Sequence, residues 1–177
     1  MTRRWLLAPS ELASVPDEGV VQKVIESVLE YVGKPRPGED DYELVRQTPK
    51  SAQFFWAMRL LESEVNNRGF EQYFWNSSCA LSDVAFKAYQ SIGANQYVDF
   101  LSRALKTMGN ESSAIRRQRF ENDWRRYKKA CPQPLQELDE EFYSGGCGSP
   151  DSGGRDTNLA RLKVDYIRRN CDLICTL

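Results

Sequence analysis

The feature that most constrains the fold is the spacing of apolar residues, which follows helical intervals in two separate segments. In the first, apolar side chains at i, i+3, i+4, i+7, i+8 and i+11 are Val21, Val24, Ile25, Val28, Leu29 and Val32. The same spacing recurs at Tyr97, Phe100, Leu101, Ala104, Leu105 and Met108. This pattern is typical of amphipathic helices that bury one face. Because no strand-type alternation of five or more residues occurs, we predict an all-α fold.

Glycine and proline divide the sequence into about seven to nine predicted helices with short connections, arranged as a bundle. Gly33 ends the first amphipathic helix, and Gly93 forms a tight turn before the second. A longer helix follows Pro49, and Gly69 is placed to close it. Four aromatic residues lie within positions 70–75, which predicts one or two buried helical turns directly after that glycine.

The 177 residues are expected to form a single helical domain. Residues 1–16 precede the first amphipathic helix as an N-terminal extension, and residues 144–156 form a flexible loop rich in glycine and serine. The strongly charged segment 112–129 keeps an apolar stripe at Phe120, Trp124 and Tyr127, so we expect it to dock on the core through one aromatic helical face.

Composition excludes several classes of function. The chain has no histidine, so it has no histidine metal ligand, general base or nucleophile–histidine dyad. Its five cysteines contain no C-x-x-C pair, and no bound metal or cofactor is expected. We predict a cytoplasmic protein without a membrane span, because the sequence has no secretory signal and no apolar stretch of 18 residues.

The densest group of polar and aromatic residues lies in positions 62–78. We expect a mainly structural role for the following members: Glu64, Asn66, Asn67, Gly69, Phe70, Gln72, Tyr73 and Asn76. The alternative is a small-ligand or enzymatic pocket around Glu64, Asn67 and Tyr73. An enzyme is not expected, since this polar group also has a structural explanation and the common catalytic motifs are absent from the sequence.

Residues 64–78, with the sequence EVNNRGFEQYFWNSS, resemble the signature of the DNA mimic protein 19 family. The resemblance continues through Ile92-Gly93-Ala94, the helix ending at Met108 and the segment 138–143, and it covers roughly residues 45 to 170. It implies an all-helical domain. The sequence departs from the family pattern at Arg68, where the family usually has the first of two glycines, and in the loop 144–156.

The resemblance also implies a function, because the family's namesake resembles DNA through surface carboxylates that occupy a DNA-binding protein. A net charge of −1 cannot imitate duplex DNA over the whole surface, so only a local patch could act in this way. Two acidic segments are candidates if they share one face. They contain Glu39, Asp40, Asp41 and Glu43, and Glu137, Asp139, Glu140 and Glu141. The alternative role of these residues is solubility and helix-end complementarity.

Positive charge is also concentrated, between residues 111 and 129. Arg116 and Arg119 would share one helical face, while Arg125, Lys128 and Lys129 would form a second cluster. Such a surface could follow nucleic-acid phosphates. We favour a solvated face that pairs with nearby acids, so nucleic acid is not the expected partner.

These observations together predict a non-enzymatic module that binds another protein. The expected partner is a DNA-binding protein or another basic protein, which would be blocked by occlusion. The alternative function is that of an immunity-type protein that neutralises a toxin, because such a protein would use the same kind of surface. The chain itself is expected to be a monomer or a weak homodimer.

Overall fold

The computed structural model of the chain describes residues 5–33, 41–109, 111–144 and 157–175. Within these ranges it has eleven α-helices, one 3-10 helix and no strand, which confirms the all-α prediction. The helices are α1 (Pro9–Ser14), α2 (Asp17–Val32), α3 (Asp41–Val45), α4 (Lys50–Trp75), α5 (Ser82–Ile92), α6 (Asn95–Met108), α7 (Ser113–Arg119), α8 (Trp124–Ala130), α9 (Gln133–Ser144), α10 (Thr157–Arg169) and α11 (Cys171–Cys175). The 3-10 helix is Ser77–Leu81. The number exceeds the predicted seven to nine, and three of the eleven have only five or six residues.

Helix α4 lies at the centre of the molecule and packs against α2, α5 and α9. Its backbone is interrupted where the sequence predicts a helix end. Arg68 has φ −152° and ψ 29°, and Gly69 has φ 77° and ψ −178°. A positive φ with ψ near 180° is almost exclusive to glycine, so this residue permits the break. The aromatic turns after it are buried, with Phe70 fully inaccessible, which agrees with the prediction for residues 70–75.

The tight turn between α5 and α6 is also present as predicted. Gly93 has φ 77° and ψ 21°, the left-handed conformation that ends many helices. The amide of Ala94 donates to the Tyr89 carbonyl at 2.9 Å and completes the end of α5.

The charged segment 112–129 forms two helices, although its apolar stripe suggested continuous periodicity. The chain turns through Glu121 (φ 55°) and Asn122 (φ 58°) between α7 and α8. The Asp123 carboxylate then accepts hydrogen bonds from the amides of Arg125 and Arg126 at 2.8 and 3.3 Å. This side-chain cap starts a new helix, so the periodicity is interrupted by local hydrogen bonding.

Aromatic contacts fix α8 and α9 beside the break in α4. On α9, the Phe142 ring contacts Phe70 and Phe100 edge-on, with centroid distances of 5.8 and 5.5 Å. On α8, the ring of the buried Tyr127 lies 4.9 Å from that of Trp75. Both helices are therefore held to the same end of α4, which places their polar residues around its break.

The two ends of the described chain also contribute to the core. Trp5, Leu7 and Leu12 of the predicted N-terminal extension are buried. A short helix, α11, follows α10 and buries Ile174. The predicted loop falls almost entirely on residues 145–156, which lie outside the described residues. In the described part of the chain, no helix combines the length and apolar character required to span a membrane.

Candidate functional site

On the N-terminal side of the break, the Glu64 carboxylate joins three separate segments. It accepts hydrogen bonds from Gln72 Nε2 at 2.5 Å, Asn76 Nδ2 at 2.8 Å and Ser78 Oγ at 3.2 Å. Asn67 Nδ2 in turn donates to Gln72 Oε1 at 3.1 Å. These bonds cross from the first part of α4 to the second and on to the 3-10 helix. The carboxylate therefore acts as a clamp on the broken helix.

Tyr73 belongs to a different hydrogen-bonded group. Its side chain is 1% exposed, and its hydroxyl lies 2.9 Å from Ser82 Oγ, inside the core. Burial raises the pKa of this phenol well above its usual range. The structure thus separates Tyr73 from the Glu64 clamp, while Asn66 is half-buried in the last turn before the break.

On the C-terminal side of the break, a second carboxylate comes from a distant helix. Asp139 Oδ1 of α9 accepts the Phe70 amide at 2.7 Å and caps the second part of α4. A Cβ on Gly69 would lie 2.6 Å from Asp139 Cγ, a distance that ordinary packing does not allow. Glycine is needed here for two reasons, its positive φ and the close approach of this carboxyl.

Glu71 lies next to this cap and is 3% exposed. Its carboxylate is 3.5 Å from Gln136 Nε2 and 3.8 Å from Lys128 Nζ. These distances lie at the outer limits of a hydrogen bond and an ion pair. The backbone is held more firmly, since the Tyr127 hydroxyl donates to the Glu71 carbonyl at 3.2 Å.

An open cleft of about 560 Å³, here called the break cleft, is formed by the break in α4 together with α8 and α9. It is lined around Gly69 by Asn67, Arg68, Glu71, Lys128, Gln136, Asp139 and Tyr143. Burial raises the pKa of Asp139 to about 6, and the negative charge of Glu71 adds to this effect, whereas the Phe70 amide and Lys128 oppose it. A cleft that contains a partly desolvated carboxyl of raised pKa is a candidate binding site.

The structure assigns different roles to the four residues of the second acidic segment. Asp139 faces inward as the cap of α4, whereas Glu137 and Glu140 are exposed on α9. Glu141 forms a two-point ion pair with Arg103 of α6, with both contacts at 2.7 Å. Glu137 Oε1 accepts a hydrogen bond from Gln133 Nε2 at 3.0 Å. The segment therefore turns the Asp139 carboxylate inward and leaves the other three exposed, with Glu141 paired to Arg103.

Of the first acidic segment, only Glu43 is described with its side chain, and it is exposed on α3. Glu39, Asp40 and the side chain of Asp41 lie outside the described residues. The condition that both segments share one face is therefore not tested by the described residues.

The expectation that Arg116 contributes to an exposed basic face is wrong. Its side chain is 1% exposed, its guanidinium donates to the Phe74 and Glu111 carbonyls, and it lies over the Phe74 ring. Arg119, on the same helix, pairs with Glu111. Helix α7 is thus attached to the end of α4 through a buried arginine. Helical periodicity alone does not distinguish a buried arginine from one that faces solvent.

Four residues of the break cleft, Arg68, Glu71, Gln136 and Tyr143, were not among the predicted site residues, and Lys128 was predicted only as part of a solvated basic cluster. A signal for Glu71 was present, since it is an acid inside a run of aromatic residues that must be buried. Nothing in the sequence connects it with α9, because that contact depends on packing. Among the described residues, no group of three or more histidine, cysteine or acidic side chains could hold a metal ion.

The fold and this cleft define an all-helical protein with a polar, carboxylate-containing site at the break of its central helix. A family profile described as DMP19-like protein matches residues 46–170. The chain therefore belongs to the DMP19-like protein family, as its sequence signature indicated. Comparisons with curated proteins and with solved structures gave no significant match.

Proposed function

We propose that the protein is a non-enzymatic interaction module of the DNA-mimic type. It binds a basic surface on another protein, the nucleic-acid-facing surface of a DNA-binding protein, and blocks it by occlusion. Family membership supports this class of function. The observation that carries the proposal is the position of α9, which exposes Glu137 and Glu140 and also supplies Asp139 to the break cleft.

Because positive and negative charges nearly balance over the whole chain, a basic partner would have to be bound by a local group of carboxylates. The chain carries 24 basic and 25 acidic residues, so its long-range field is weak. Duplex DNA has one negative charge per roughly 1.7 Å of its axis, which this chain cannot reproduce over its surface. A short helix that bears several carboxylates can instead imitate a few adjacent phosphates. Such contacts are weakened by salt because they are exposed.

The Glu64 clamp supports a structural rather than chemical role for the family motif. Its carboxylate already receives three side-chain hydrogen bonds, so little acceptor capacity is left for a substrate. The Tyr73 hydroxyl, which the alternative of a small-ligand or enzymatic pocket also included, lies 2.9 Å from Ser82 Oγ in the core.

The test is competition between this protein and duplex DNA for a DNA-binding protein. Partners are captured from native lysate at low and high salt, purified, and mixed with fluorescent operator DNA. We expect the wild-type protein to displace the DNA. The double variant Glu137→Gln/Glu140→Gln should bind the partner about tenfold more weakly, because each exposed charge contributes up to about 1 kcal/mol.

A matched control is Asp165→Asn/Asp172→Asn, which removes two exposed charges from α10 and α11 and should bind as the wild type does. Equal binding by both double variants, or no displacement of DNA, would contradict the proposal. If the α9 face captures a toxic enzyme that does not bind DNA, the toxin-neutralising alternative is the correct function.

A further inference from the structure

We propose that the break cleft receives the guanidinium group of an arginine side chain from the partner protein. This inference deepens the proposed function and rests on it, since it names the chemical group that the partner inserts beside α9.

Glu71 supplies the first element of the site. Its side chain is 97% removed from solvent, yet its two donor contacts lie at 3.5 Å from Gln136 and 3.8 Å from Lys128. A carboxylate has about four acceptor positions, and a buried one is stable only when they are well used. The geometry therefore leaves Glu71 able to accept stronger hydrogen bonds from a group that enters the cleft.

Asp139 supplies the second element. One of its oxygens accepts a hydrogen bond from the Phe70 amide. Its carboxyl also experiences electrostatic repulsion from the negative charge of Glu71, which lines the same cleft. Two neighbouring carboxylates in a partly desolvated site repel each other, and a cation between them removes this repulsion. A neutral or anionic ligand would not have this effect.

The other lining groups favour guanidinium over a simple ammonium. Asn67 and Gln136 provide side-chain amides at different points of the cleft, and the half-exposed Tyr143 provides an aromatic ring. The Tyr143 hydroxyl is held by the Val65 carbonyl, which fixes that ring in place. A planar guanidinium can donate in several directions and lie against an aromatic face, whereas an ammonium acts as a point charge.

Lys128 occupies the place of the incoming cation in the free protein. Its side chain is 57% exposed and approaches Glu71 only to 3.8 Å, so it can move aside at little cost. Arg68 is the other basic residue of the lining and is also exposed. The cleft is open and lies beside the exposed carboxylates of α9, so a partner's surface arginine can enter it during docking.

The test uses the full chain and a capped Gly-Arg-Gly tripeptide, titrated while the backbone amide and side-chain amide signals are followed by NMR. We expect saturable shifts at Gly69, Glu71 and Gln136 in the millimolar range, typical of one inserted side chain. The same tripeptide with citrulline, which has the shape of arginine but no charge, should give no saturable shift.

Three variants give different predicted results. Glu71→Gln should weaken tripeptide binding at least tenfold. Lys128→Met removes the competing ammonium and should tighten binding several-fold, an effect that a merely structural cleft would not produce. The control Asp165→Asn should leave binding unchanged. Since Lys128 is exposed, its variant keeps the test decisive even if Glu71→Gln folds poorly.

The inference is overturned if arginine and citrulline tripeptides give the same shifts, or if Lys128→Met does not tighten binding. It is also overturned if Mg²⁺ alone saturates the same signals, or if free L-arginine binds more tightly than the capped tripeptide, which would indicate a small metabolite. Its failure is distinct from that of the proposed function. If Glu137→Gln/Glu140→Gln loses partner binding but the tripeptide does not bind in the cleft, the proposed function of the acidic α9 face stands. Only the proposal of an arginine site is then overturned.

Discussion

Glu64 and Glu71 lie on opposite sides of the break in α4, and their carboxylates have very different surroundings. Glu64 accepts three side-chain hydrogen bonds between 2.5 and 3.2 Å and joins the two parts of the helix. Glu71 is more deeply buried, but its contacts with Gln136 and Lys128 are long. Burial alone therefore does not reveal the role of a carboxylate. The number and quality of its hydrogen bonds separate a structural clamp from a group that can accept a ligand.

The largest expected effect is on the break that separates these two carboxylates. Gly69→Ala places a Cβ against the Asp139 carboxyl and strains a residue at φ 77°. Gly109→Ala is a matched control, since that glycine has φ 66° and ψ −168° but open space where the Cβ would lie. The control should lose about 1–3 kcal/mol from strain, and Gly69→Ala about 1–3 kcal/mol more from overpacking. Denaturant unfolding measures both, and equal losses would show that Asp139 moves aside freely.

Direct exchange of the two carboxylates for amides gives the next largest effect. Glu64→Gln places an amide NH₂ against the donors of Gln72 and Asn76, so we expect a loss of about 2–3 kcal/mol in the free energy of unfolding. Glu71→Gln removes a buried, weakly paired charge and should stay within about 1 kcal/mol of the wild type. Chemical denaturation of both variants at neutral pH tests the contrast. A greater loss in Glu71→Gln would reverse the assignment of roles.

On the C-terminal side of the break, the stability of the fold depends on pH through Asp139. Burial raises the pKa of Asp139 from its ordinary 3.8 to about 6, so the folded chain binds this proton more tightly than the unfolded chain does. The stability from this group is fully present below the unfolded pKa and is lost as the pH rises through about 6.

Asp139→Asn keeps an acceptor for the Phe70 amide and removes this titration. Between about pH 4 and about pH 7, the wild type should lose about 1 kcal/mol relative to the variant, less than the full shift implies because the carboxyl is partly solvated. Parallel denaturation curves across this range measure the difference. A constant difference would show that Asp139 titrates normally.

The smallest expected effect on stability concerns Glu141, which lies on the exposed surface of α9 and not in the buried region around Asp139. Its ion pair with Arg103 is short, at 2.7 Å, but both side chains are about half exposed. Arg103→Gln should therefore change the free energy of unfolding by no more than about 1 kcal/mol. It should also strengthen partner binding in the capture assay, because the Glu141 charge is released. Weaker partner binding would instead indicate that Arg103 itself contacts the partner.

Much of the fold could be predicted because helix formation depends on local patterns. The intervals from Val21 to Val32 and from Tyr97 to Met108 correspond to α2 and α6, and Gly93 ends α5 as expected. The division between α7 and α8 was missed, since two left-handed residues and the Asp123 cap interrupt a stripe that continues in sequence. Periodicity reports which faces are apolar but does not show where the backbone turns.

For the candidate site, the sequence alone determined the family motif, the glycine at the break and the acidic character of α9. Three features come from packing and not from local sequence: Asp139 caps the amide of Phe70, Glu71 faces α8 and α9 in the break cleft, and Arg116 is buried. The difference follows from the range of the interactions involved. Helix propensity and capping act over a few residues, whereas the satisfaction of a buried charge depends on partners that packing brings from distant parts of the chain.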